Sequence, residues 1–259
     1  MLPRINVHGE ERLSELCRRR DARLVQISTT SVPGMHTPET YEKNLKMHED
    51  ELFVIDDMDN KYAISKYQAE LRIFDAIESG LKAKVIRVGN LMGRHTDGEF
   101  QVNMHTNMFM NGIRGFAAMG MCPITHMTDT MRVSPIDCTG RAVVLLSGTN
   151  DKFTAFNSDN CYSFNEMKVI DACRRCGIDI RPTEDKIYYD AFRKKLGDDS
   201  ANGSLSALAA YDIEGLHAVE TDNRFTTMVL YRLGFSWPLP NEDYLHRAIK
   251  SLVTMEYFS

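Results

Sequence analysis

No uninterrupted apolar stretch in the 259 residues approaches the ~20 that a membrane-spanning helix needs, and no signal-peptide core stands near the start. A cytoplasmic protein with no membrane partner is the expectation. Cysteine is used sparingly: of six, only Cys173 and Cys176 form a Cys-x-x-Cys pair, and no second pair completes a zinc site. The eight histidines include no His-x-x-x-His spacing, so no metal is expected. Excess positive charge is also missing. A formal net charge of −5 argues against a general nucleic-acid or anionic-membrane binder. Glycines are present, but none are arranged as the Gly-x-x-Gly-x-x-Gly turn that cradles nucleotide phosphates; Gly112, Gly115 and Gly120 have the wrong spacing. What remains is the composition of an ordinary globular protein, 43% apolar and 26% charged, long enough to bury a sizeable core.

The apolar pattern alternates between helix and buried strand. Val7, Leu13, Leu16 and Cys17 recur at helical intervals over 6–19, and the short apolar run 23–28 reads as a buried parallel strand. A polar loop of some thirty residues follows, a length uncommon without function or hidden structure. A second helix is expected over 61–79 with Gly80 as its cap, then a second buried strand over 84–88. Helix, strand, helix, strand in this order is a parallel α/β unit, which binds ligands at the carboxyl ends of its strands. Further on, 109–121 is rich in glycine and methionine and is expected to line an apolar surface. A short strand over 132–137 leads to a helix over 138–146, and further helices are expected over 165–176, 182–196 and 241–257. A polar break covers 198–204. No linker marks an independent second domain.

The chemistry lies at the strand ends. Ser28-Thr29-Thr30-Ser31 closes the first strand, and Tyr62 and Lys66 stand one helical turn apart on the next helix. An ammonium beside a phenol favours the phenolate and draws the tyrosine toward a range where it exchanges protons at neutral pH. Gly89 and Asn90 open the loop after the second strand.

Three segments carry a resemblance. They are Ser28-Thr29-Thr30-Ser31-Val32-Pro33-Gly34, Tyr62-Ala63-Ile64-Ser65-Lys66 with Ala69-Glu70, and Arg87-Val88-Gly89-Asn90-Leu91-Met92-Gly93-Arg94. Together they resemble the extended short-chain dehydrogenase/reductase family. With Val133-Ser134-Pro135-Ile136-Asp137 and Leu233-Gly234-Phe235-Ser236-Trp237-Pro238, they are similar to its thioester reductase branch, the terminal reductases of nonribosomal peptide synthetases and carboxylic acid reductases.

The resemblance implies a catalytic hydroxyl at Thr29, a general acid at Tyr62, and at Lys66 the lysine that tunes the tyrosine and holds the nicotinamide ribose. It implies cofactor contacts from Tyr62, Lys66, Gly89, Asn90 and Leu91, and a helix asparagine at Asn6. The implied reaction is NADPH-dependent release of an acyl or peptidyl chain, as aldehyde or alcohol, from a phosphopantetheinylated carrier protein. Since the glycine turn is missing, the expected fold is α/β: a partial Rossmann-like parallel sheet without its N-terminal strands, over 1–94. A mostly helical C-terminal substrate lobe is expected over 95–259, with 132–147 packing back on the sheet. On that reading the chain is a fragment beginning at an internal methionine, inactive alone, weak in NADPH binding, and prone to self-association through its exposed sheet edge. The alternatives are a nucleotide-sugar epimerase or dehydratase, with Arg114, Arg132 and Arg141 near a diphosphate, and a non-catalytic carrier-protein-docking module.

Overall fold

Ala83–Val88, buried along all but its last residue, forms the middle strand of the sheet that organises the first half of the protein. The computed structural model describes residues 8–36, 38–54, 61–198, 205, 208–209 and 217–258. Asn6 and most of the polar break at 198–204 lie outside the described residues. The described elements are α1 (His8–Arg20), β1 (Leu24–Thr29), α2 (Pro38–Glu42), α3 (Lys61–Glu78), β2 (Ala83–Val88), β3 (Leu91–Met92), α4 (Met108–Met119), β4 (Met121–Pro123), β5 (Thr130–Met131), β6 (Ser134–Pro135), α5 (Ile136–Ser147), β7 (Ala155–Ser158), β8 (Phe164–Asn165), α6 (Met167–Arg175), β9 (Arg181–Thr183), α7 (Asp185–Asp198), α8 (Arg224–Arg232) and α9 (Glu242–Thr254). The α/β class expected from the sequence is what the chain adopts.

Residues gather into two compact units. The first comprises Met1–Gly89, Thr139–Cys161 and Leu216–Ser236; the second holds the rest. This division departs from the contiguous boundary expected at 94. Its physical reason is the sheet: β1, β2 and β7 pair in parallel in that order, so a strand from far along the chain completes it. Leu24 of β1 lies opposite Ala83 and Thr29 opposite Val88, while Val85 lies opposite Ala155. Leu24, Val85 and Ala155 bury against Ile73 and Ala76 of α3, with Cys17 of α1 alongside. Gly80, at φ +92°, ends α3 in the left-handed conformation, its N–H donating to the Ile77 carbonyl at 2.8 Å.

The long loop after β1 has structure of its own. It contains α2, and it is pinned by bridges from Met35 to Ala218 and from Met47 to Thr221.

In the second unit three short strand pairs, β3 with β6, β4 with β9 and β5 with β8, surround a separate core. The segment expected to line an apolar surface is instead helix α4, which buries Phe109, Met110, Ile113 and Phe116. Its 3.6-residue spacing turns those side chains inward together. Asn107 caps α4 by accepting from the Met110 N–H at 3.0 Å, and Asn241 caps α9 through Tyr244 at 2.9 Å. Cys173 is buried on α6, and burial pushes its thiol well above the ordinary range, so it is a packing residue. No described helix is long and apolar enough to cross a membrane.

Candidate active site

The carboxyl ends of β1 and β2 lie side by side, because Thr29 is registered against Val88 and the Thr30 N–H donates to the Val88 carbonyl at 3.0 Å. Thr29 therefore ends one strand where Gly89 leaves the next. The Thr29 side chain is largely buried, and its Oγ1 accepts the Ser31 N–H at 3.1 Å. That acceptance fixes the hydroxyl in a tight turn and leaves its own proton as a hydrogen-bond donor. Ser28 points to the opposite face of the sheet by strand alternation, and its buried hydroxyl has no hydrogen-bond partner among the described residues.

Tyr62 and Lys66 occupy the first two turns of α3, a helix packed on β1 and β2. The Tyr62 side chain is 36% exposed. Burial pushes its phenol up, opposite to the direction expected from a neighbouring ammonium. Lys66 Nζ donates to the Ile27 carbonyl of β1 at 3.0 Å. Burial lowers the Lys66 ammonium, while the Glu10 and Glu70 carboxylates act against that shift. Glu10, on α1, is raised by its own burial and hydrogen-bonds Gln26 of β1. The structure thus brings Thr29, Lys66 and the start of α3 to one end of one strand. Asn90 and Leu91 enter the second unit, where the Asn90 carbonyl accepts from Ser134 at 2.8 Å and Leu91 pairs with Ser134. Both have a structural role there.

A network that the sequence reading did not single out holds this end of the sheet. Arg87 of β2 and Glu70 of α3 are both fully buried and form an ion pair at 2.9 Å. The same guanidinium donates to the Glu51 carbonyl at 2.8 Å and to Asn157 Oδ1 of β7 at 3.2 Å. Asn157 in turn donates to the Met47 and Asp222 carbonyls at 3.2 and 2.8 Å. Glu49 accepts from the Thr226 N–H and hydroxyl at 3.0 and 2.9 Å. One buried cation thereby ties the loop between Thr29 and Tyr62 to α3 and to the third strand. The signal in the sequence was Arg87, which with Lys84 is one of two cations in an otherwise aliphatic strand, and Glu70 on the facing helix.

Two other features lie in the second unit. A surface cleft of about 730 Å3 lined by Lys168, Asp171, Arg174, Arg175 and Glu242 carries paired charges on α6 and α9. His126, Asp129 and Glu166 place ligand atoms within 4.8 Å of one another. There the His126 Nδ1 lies 3.5 Å from the Glu166 carboxylate.

The profile of an NAD-binding family described as male sterility protein matches residues 1–143, and the chain belongs to that family. The resemblance to extended short-chain reductases of the thioester branch holds in the solved structures. The chain is similar to a thiolation-reductase di-domain of an archaeal nonribosomal peptide synthetase, at 29% identity and TM-score 0.83, over 99% of this chain and 54% of that one. It is similar to the reductase domain of the aureusimine biosynthetic cluster at 20% identity and TM-score 0.81, over 98% and 66%. RMD of Pseudomonas aeruginosa, solved with NADPH, shares the fold at 14% identity and TM-score 0.60, over 98% and 73%. The chain therefore spans between half and two thirds of the length of the two reductases. No curated protein matches it by sequence.

Proposed function

We propose that this chain supplies the proton-handling half of an NADPH-dependent thioester reductase that releases a carrier-protein-bound acyl or peptidyl chain as an aldehyde. The observation that carries the reading is the grouping at the end of β1: a turn-fixed hydroxyl at Thr29, with Lys66 of the Tyr62 helix bonded to the same strand. The archaeal neighbour joins its reductase to a thiolation domain, which supports a carrier-bound substrate.

The donor set suits one end of the cofactor. A phenol and an ammonium one turn apart on α3, with Lys66 bonded to the end of β1, suit a nicotinamide and its ribose hydroxyls. The turn after β1 runs into a helix of only five residues and has none of the glycine spacing that a pyrophosphate needs, so the described residues do not fit that end. When bound, a reduced nicotinamide supplies the hydride.

The chain's own groups then manage the oxygen. Thr29 donates a hydrogen bond to the thioester carbonyl, which increases in strength as negative charge develops there. Tyr62 gives its proton to that oxygen, and Lys66 lowers the cost of the phenolate left behind. The resulting hemithioacetal collapses to an aldehyde as the carrier thiol departs. The assignment of Tyr62 is tested by Tyr62→Phe in this chain joined to a dinucleotide-binding half. Turnover is expected to fall by at least about 100-fold, the scale of general acid catalysis, with NADPH affinity unchanged. Retained turnover would remove Tyr62 from its role.

A further inference from the structure

His126 sits in a short 3-10 helix, Ile124–Met127, and Asp129 stands three residues further on. Glu166 comes from a different part of the chain, directly after β8. Antiparallel pairing of β5 with β8, Thr130 opposite Asn165 and Met131 opposite Phe164, brings the two segments together. Hydrogen bonds then fix them. The Asp129 N–H donates to the Thr125 carbonyl at 3.3 Å, and the Glu166 N–H donates to the Asp129 carbonyl at 3.0 Å. The Asn165 side-chain amide donates to the Met127 carbonyl, and Asp185 accepts from the Thr125 N–H at 3.2 Å. The His126 ring is buried edge-on to Phe116, with ring centroids 5.3 Å apart. The backbone that carries the three side chains is therefore held in place by the fold itself.

Distance and charge both point to a cation. The three side chains place one donor atom each within 4.8 Å of one another. His126 Nδ1 and the Glu166 carboxylate stand 3.5 Å apart, longer than a good N–H···O bond of ~2.7–3.2 Å. Two ligands on one tetrahedral cation, each at about 2.0–2.2 Å from it, stand roughly 3.3–3.6 Å apart. Asp129 is half-buried and closes on the same point by rotation of its own side chain. With a neutral imidazole the set carries two negative charges, which one divalent ion balances. An imidazole suits zinc and its first-row neighbours, whereas magnesium and calcium take oxygen sets. Met127 and Thr128 are exposed beside the group, which leaves an approach from solvent and room for water as a further ligand. No local spacing announces the set, because strand pairing supplies its third member.

We propose that His126, Asp129 and Glu166 bind a divalent first-row transition cation, with zinc as its type, which fastens the turn at 124–129 to the end of β8. None of the three takes part in the function proposed above. The test strips the whole chain with a chelator and titrates it with zinc, against a competing zinc dye and in thermal unfolding. One ion per chain is expected at this site. At a hundredfold excess over its dissociation constant, zinc should raise the melting point of the second unit by about 5–10 °C. Glu166→Gln and Asp129→Asn, both checked for native circular dichroism, are each expected to bind at least tenfold more weakly, while Cys176→Ser binds as wild type does. Zinc affinity unchanged in both carboxylate variants, or lost in Cys176→Ser, overturns the site, as does the absence of binding. Cobalt(II) in place of zinc is expected to shift the ring resonances of His126; a shift confined to other histidines overturns the assignment. Magnesium at the same concentration is expected to leave the melting point unmoved, and equal stabilisation by magnesium overturns the choice of a transition cation.

Discussion

Replacing Arg87 by methionine removes the buried cation that pairs with Glu70 and donates to the Glu51 carbonyl. Both charged side chains are at 0% exposure, so solvent cannot screen what is left. Removing one partner of a buried pair costs about 3–5 kcal/mol, since the remaining charge stays desolvated. Asn157 Oδ1 and the Glu51 carbonyl lose donors as well, at about 1 kcal/mol each. The two contributions overlap, and a loss of about 4–5 kcal/mol is expected for the first unit. At roughly 2–4 °C per kcal/mol for a chain of this size, the melting point of that unit falls by about 8–20 °C.

Urea unfolding followed by far-ultraviolet circular dichroism and by the single tryptophan separates the units, since Trp237 belongs to the second. The ellipticity transition should move and the tryptophan transition should move less. The double variant Arg87→Met with Glu70→Leu should recover at least half of the loss, because the orphan charge is gone. A single-variant loss below about 1 kcal/mol, or a double variant worse than the single, would refute the reasoning.

Thr29→Val in the joined protein is expected to cut turnover by about 100-fold or more, as loss of one oxyanion donor does, while Thr29→Ser keeps most of it; equal rates for the two would show that the hydroxyl is idle. Burial raises the Glu10 carboxyl in the folded state, so its contribution to stability is full below its unfolded value and is lost as pH rises through the folded one. Glu10→Gln should therefore be more stable than wild type at pH 7 and equal to it in acid, and a less stable variant at pH 7 contradicts this. Asp222 is held at about 2, chiefly by hydrogen bonds from Arg224, below the ordinary carboxylate value of about 3.9. Its stabilisation is present above pH ~4 and lost as pH falls toward 2, so Asp222→Asn should flatten that part of the acid limb in urea midpoints.

The elements legible in the sequence were those whose apolar period was unbroken. The two strands at Leu24–Thr29 and Ala83–Val88 and the helix Lys61–Glu78 fall within a residue or two of their expected places. The third strand, Ala155–Ser158, was not legible. It is four residues long, and Asn157 in its centre reads as loop; only the carbonyls of Met47 and Asp222 and the Arg87 guanidinium make a buried asparagine tolerable there. Of the site, the positions of Thr29 and Lys66 could be reasoned from motif and spacing. The direction in which Lys66 points could not, because its acceptor, the Ile27 carbonyl, is set by how α3 packs on β1. The Asn90 and Leu91 side of the loop was equally closed to sequence reasoning, since its pairing with Ser134 joins short segments with no period to detect.

The discontinuous first unit sets an order of events during synthesis. Residues 24–29 and 83–88 leave the ribosome some seventy residues before Ala155–Ser158, an interval of several seconds at about 5–20 residues per second. For that time β2 lacks its β7 neighbour, and the buried place for Arg87 lacks Asn157. Pairs of strands are marginal alone, and non-local closure is slow. The first unit is therefore finished late, after much of the second has already been made, and its edges are at greatest risk of wrong partners while translation is still under way.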